Sequence, residues 1–113
     1  MQERRSSRRY PVVLAAEAVL NNGLQRYQGV VTDISFSGVR FLSGQRIDKD
    51  QQLELAFSIE DQDIKLNAVV TRLAQEENSM PIQHGLKITG VVFEGDRKRL
   101  EKFFQGLQEK NVF

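Results

Sequence analysis

Two short segments of the chain hold side chains whose type and spacing can do chemistry. The first is Arg4-Arg5-Ser6-Ser7-Arg8-Arg9, four guanidinium groups in six residues with no core-facing pattern. A guanidinium forks onto phosphate oxygens, and the same fork matches the O6 and N7 acceptors on the Hoogsteen edge of guanine. A further guanidinium can stack over a purine ring. Taken alone, such a run more often means a solvated basic tail. The second segment is Asp33-Ile34-Ser35-Phe36-Ser37-Gly38. An aspartate carboxylate accepts two parallel hydrogen bonds, which suits the N1–H and N2–H donors on the Watson–Crick edge of guanine. The Ser35 hydroxyl can add a bond to base or phosphate, and Gly38 permits close backbone approach or a positive φ. Taken alone, Asp33 and Ser35 read equally as residues satisfying turn amides.

The elements that must position these groups are short strands. Val12, Leu14, Ala16, Ala18 and Leu20 share one face of a first strand, and Asn21-Asn22-Gly23 supplies a turn. Gln25 to Thr32 reads as a second strand and Gly38 to Ser43 as a third, joined by the tight connection Asp33 to Ser37. After a polar loop from Gly44 to Gln51, Leu53, Leu55, Phe57 and Ile59 alternate with Gln52, Glu54, Ala56, Ser58 and Glu60 in a fourth strand. Glu60-Asp61-Gln62-Asp63 turns the chain into a fifth, carrying Ile64, Leu66, Ala68 and Val70. Beyond a loop from Glu76 to Pro81, Ile82, His84, Leu86 and Ile88 share a face of a sixth, with a bulge or bend expected at Gly90. The period then becomes 3.6: Leu100, Phe103, Phe104 and Leu107 form one stripe behind an expected Asp96 cap. These patterns predict an all-β-dominated fold, a six-stranded antiparallel β-barrel of split-barrel type with a C-terminal α-helix over about 96–110. Residues 1–10 are expected as a flexible arginine-rich arm and 11–113 as the barrel domain.

Length and composition bound the function. The 113 residues suffice for one core, and 40% hydrophobic with 27% charged residues is ordinary for a folded domain. No apolar run reaches the roughly 20 residues that span a bilayer, so membrane insertion is not expected and a cytoplasmic location is. The absence of cysteine rules out disulfides and thiolate metal sites. The net charge is +1, yet Met1 to Arg9 has four arginines against Glu3, which leaves the rest of the chain at −2. Positive charge gathered at one end suits a compact anion better than a long nucleic acid.

In order and placement, the two segments resemble the signature of the PilZ domain family, whose members bind cyclic diguanylate. Arg5-Ser6-Ser7-Arg8-Arg9 before the first strand is similar to the family's Arg-x-x-x-Arg element, and Asp33-Ile34-Ser35-Phe36-Ser37-Gly38 to its Asp/Asn-x-Ser-x-x-Gly element. Gly85-Leu86-Lys87-Ile88 looks like the family's final strand. The resemblance implies that Arg5 and Arg9 grip phosphates and the Hoogsteen edge, that Asp33 and Ser35 hold a guanine from the barrel side, and that Gly38 shapes the turn. Arg4, directly before the element, implies a stacked pair of ligands; a register using Arg4 and Arg8 has the same spacing. The expected ligand is therefore cyclic diguanylate, with no cofactor and no metal. Ligand would order the arm across the barrel mouth and so signal to a protein effector or attached domain.

Other classes have less support. His84 is the only histidine, and on an apolar face it reads as a packed, hydrogen-bonded residue, so no catalytic residue is assigned. A small RNA-binding barrel would use Tyr10, Tyr27, Phe36 and Phe41 to stack bases, but these read more simply as core or rim, and no nucleic-acid polymer is expected as a partner. A PilZ-like adaptor working only through protein contacts is the remaining alternative.

Overall fold

The structure is a computed structural model and describes residues 8–74 and 81–110. The described residues form six strands: β1 (Tyr10–Leu20), β2 (Gln25–Ile34), β3 (Gly38–Ser43), β4 (Gln52–Ile59), β5 (Gln62–Ala74) and β6 (Ile82–Val91). A 3-10 turn at Asn21–Gly23 links β1 to β2, and helix α1 (Glu94–Lys110) follows β6. The strands pair antiparallel throughout and close into a barrel in the order β1-β2-β3-β6-β5-β4. A sheet closed on itself leaves no edge to be covered.

Period-two alternation fills the barrel. Ala16, Ala18 and Leu20 from β1, Leu53, Leu55 and Phe57 from β4, and Ile64, Leu66, Ala68 and Val70 from β5 all point inward and are buried. Leu100 and Phe104 of α1 join the same core, with Phe103 and Leu107 packed against it, so the stripe expected on the helix is the face it buries. The helix begins at Glu94, two residues before the expected Asp96 start. Asp96 is not its cap. It is buried in the first turn, where Oδ2 accepts the Lys65 amide at 3.0 Å and Oδ1 accepts Arg99 Nη1 at 2.8 Å, stitching the helix to β5.

Several boundaries differ from expectation. Asp33 and Ile34 belong to β2, so the β2–β3 connection is only Ser35-Phe36-Ser37. The β4–β5 turn is the two residues Glu60-Asp61, and Gln62 already pairs with Ile59. At Gly90 the expected irregularity is present: Asn67 pairs with Gly90 and Ala68 with Ile88, which leaves Thr89 as the extra residue of a bulge. Of the expected loop from Glu76 to Pro81, only Pro81 lies within the described residues.

Candidate functional site

The site is built where β2 ends. Along β2, Tyr27, Gly29 and Val31 face inward, and strict alternation would send Asp33 into the core with them. A bulge prevents this. Val31 pairs with Phe41 but Asp33 with Arg40, so β2 spends one more residue than β3 at Thr32. The extra residue reverses the parity: Ile34 becomes the inward residue, fully buried, and Asp33 turns out to the barrel rim.

At the rim Asp33 meets two guanidinium groups. Arg9, the residue before β1, donates from Nη1 to Oδ1, and Arg40 Nη1 lies 3.4 Å from Oδ2. The carboxylate is 15% exposed and the two guanidiniums are 50% and 49% exposed, so the charges stand at a water boundary rather than in the core. The two sequence elements expected to share a ligand thus touch, through Arg9 and Asp33. Arg8 sits with its guanidinium 5.4 Å from the centroid of the Tyr10 ring. Arg4 and Arg5 lie outside the described residues.

Ser35 is 1% exposed, and its hydroxyl is used within the turn. Oγ accepts the amides of Gly38 at 3.0 Å and Ser37 at 3.3 Å and donates to the Gly38 carbonyl at 3.2 Å, while the Ser35 amide donates to that same carbonyl at 2.8 Å. This hydroxyl holds the shape of the connection that follows Asp33 rather than facing solvent. Gly38 is needed for close approach and not for a positive φ: a Cβ there would lie 2.9 Å from the Leu86 carbonyl oxygen and 3.6 Å from Arg9 Nη2. Between the serines, Phe36 stays 53% exposed and stacks on Phe104 of α1, with ring centroids 4.2 Å apart. Phe104 also contacts Tyr10 at 6.0 Å, so arm root, turn and helix meet through three rings.

Next to this rim lies a cleft of about 150 Å³ lined by Arg9, Arg40, Thr71, Arg72, Gln83 and Gly85 among others. Among the described residues, three guanidiniums against the single carboxylate of Asp33 give it a positive surplus of two. Elsewhere a larger hollow of about 570 Å³ beside Asn21–Gly23 is lined by Glu17, Arg26, Glu54 and Lys65, whose opposite charges cancel, with Arg26 Nη1 2.9 Å from Glu17 Oε1. Arg40 and Arg72 were not anticipated. Arg40 had a signal, since alternation about inward Val39 and Phe41 turns it outward. Arg72 had none, because a second register shift at Thr71 reverses the parity of β5 just before it.

His84 is the packed histidine expected. It is fully buried, and its Nε2 accepts the Ile47 amide at 3.0 Å, which leaves Nδ1 to donate to the Phe41 carbonyl at 3.2 Å. Burial pushes its pKa below the ordinary 6.5, against the upward pull of the backbone carbonyls.

A family model described as PilZ domain matches residues 3–106. The chain belongs to the PilZ domain family. No curated protein matches its sequence significantly. Among solved structures this PilZ chain is similar to the Bacillus subtilis inhibitor of motility MotI/DgrA, at 20% identity and TM-score 0.74 over 96% of this chain and 53% of that one. It thus spans about half the length of that protein. It is also similar to the PilZ domain of CeSA from a cellulose-synthesizing bacterium, at 15% identity and TM-score 0.67 over 90% and 99% of the two chains. A third likeness is to the PilZ domain of YcgR from Escherichia coli, solved with c-di-GMP, at 10% identity and TM-score 0.72 over 95% and 93%. At these identities the likenesses establish the fold. Among the described residues, no helix is long and apolar enough to cross a membrane.

Proposed function

We propose that this PilZ domain is a receptor for cyclic diguanylate, acting in the cytoplasm by binding alone, without cofactor or catalytic step. The observation that carries the reading is the contact between Arg9 of the arginine element and Asp33 of the second element at one solvent-facing rim. Asp33 supplies the carboxylate for the Watson–Crick edge of a guanine. Arg9, with Arg5 and Arg4 before it, supplies forks for the Hoogsteen edge and the phosphates. Ser35 and Gly38 serve the ligand by fixing the backbone that follows Asp33. The surplus of two positive charges in the adjoining cleft complements the two phosphates of the ring. A c-di-GMP complex of the similarly folded YcgR domain supports the same ligand here.

Binding becomes a signal when Arg4, Arg5 and Arg9 settle on the ligand and alter the surface offered to a protein effector. Arg4 directs a stacked pair. Protein contact without nucleotide is a second reading, favoured by the exposed Phe36 and by the fold shared with an inhibitor of motility.

Calorimetric titration with cyclic diguanylate, GTP and single-stranded RNA tests the reading. The wild type is expected to bind the ring in preference to the other two, with two ligands per chain. Arg5→Ala and Arg9→Ala should each weaken binding by about ten- to a hundredfold, the value of a charge-assisted hydrogen bond. No binding of the ring at millimolar concentration overturns the reading. Tight RNA binding with a steep salt dependence would favour a nucleic-acid role instead.

A further inference from the structure

The two guanidiniums on Asp33 come from unlike places. Arg9 precedes β1 and lies outside every strand. Arg40 sits within β3, paired with Asp33 on β2 and Gly85 on β6, between the fully buried Val39 and Phe41. The backbone of Arg40 is therefore held on both sides by the barrel, whereas that of Arg9 is not.

A guanidinium offers a carboxylate parallel N–H donors, and so does the Watson–Crick edge of guanine. In the structure Arg9 occupies Oδ1, the place a guanine donor would take. A ring that pairs with Asp33 must therefore exchange Arg9 away from it, onto the ligand's own acceptors. Arg40 then remains as the fixed cation at the carboxylate. Its 3.4 Å distance from Oδ2 is an ion-pair contact that leaves lone-pair capacity on that oxygen for a base N–H.

We infer that Arg40 is a positioning residue that determines base specificity, holding Asp33 from β3 so that both carboxylate oxygens face the N1–H and N2–H of guanine while Arg9 exchanges onto the ligand. The inference rests on the receptor reading and adds to it a residue outside both sequence elements. Stability does not account for the pair, because ion pairs at this exposure contribute little to folding. Orientation does: a carboxylate on a freely turning χ2 presents its two oxygens to a paired donor edge only part of the time.

The test compares cyclic diguanylate with its hypoxanthine analogue, which lacks the exocyclic amine. The wild type should prefer the guanine ring by about tenfold or more, the worth of one hydrogen bond to a charged acceptor. In Arg40→Gln the preference should fall to about threefold or less, and Arg40→Lys, which keeps the cation, should retain most of it. A loss of affinity equal for both rings, with the ratio kept, would make Arg40 a general contributor to charge and overturn the inference. Side-chain NMR of the wild-type arginines covers the case in which a variant does not fold. On saturation with cyclic diguanylate the Arg9 guanidinium signals should move and those of Arg40 stay; the reverse overturns the inference. A wild type that binds neither ring removes the receptor reading itself.

Discussion

The β2–β3 and β4–β5 hairpins of this barrel each carry an aspartate and a serine beside the reversal, and they use them differently. At β4–β5 the reversal is local: Glu60 and Asp61 both take left-handed φ, 51° and 66°, the geometry of a two-residue hairpin turn. Among the described residues, Asp63 there accepts only the Ser58 hydroxyl, at 2.6 Å, in an exposed pair. At β2–β3 the serine is buried and ties its own turn together, which frees Asp33 of turn duty. Asp33 instead takes cations from two other parts of the chain, Arg9 and Arg40. An aspartate near a turn becomes a site only when distant segments deliver complementary groups to it.

Parallel substitutions in the two hairpins break or sharpen that contrast. Asp33→Ala should weaken cyclic diguanylate by about a hundredfold or more, through loss of two charge-assisted bonds, while Asp63→Ala should leave it unchanged within about twofold. Calorimetry reads both, and equal losses would erase the distinction. In folding stability the serines should separate: Ser35→Ala strands the buried Gly38 amide and costs about 1–3 kcal/mol, whereas Ser58→Ala stays within about 0.5 kcal/mol, measured by urea titration.

The histidine across β3 sharpens the picture through pH. The pKa of His84 is lowered on folding, so the unfolded chain takes up its proton first as pH falls. Its stabilising contribution is therefore complete above 6.5 and declines as pH drops below that value, since the added proton at Nε2 would face the Ile47 amide. Urea midpoints between pH 7 and 5 should fall in the wild type and flatten in His84→Leu. Smallest of all, Asp61→Gly relieves a left-handed residue and should alter stability by less than about 1 kcal/mol, with no change in ligand affinity.

Much of this architecture was legible because it is periodic. Leu53 to Ile59 and Ile64 to Val70 alternate without interruption, and Leu100, Phe103, Phe104 and Leu107 mark the buried face of α1. What alternation could not supply were its own interruptions. The bulge at Thr32 sends Asp33 outward against the local pattern, and the shift at Thr71 places Arg72 beside the cleft. Pairing register is a long-range property, so no local window contains it. The aspartate of the second element was readable as a motif residue, but its cross-strand partner Arg40 depended on that register. Asp96 misled for a related reason: an acidic residue ahead of an apolar stripe looks like a cap, and only the packing of α1 on β5 gives its carboxylate the Lys65 amide instead.

The central claim is that the Asp33 carboxylate receives the Watson–Crick edge of a guanine. A crystal structure of the chain with cyclic diguanylate tests it most directly. The claim predicts guanine N1 and N2 each about 2.7–3.0 Å from an Asp33 oxygen, with Arg9 moved onto the ligand. A ring bound elsewhere, with Arg9 still on Asp33, would contradict it.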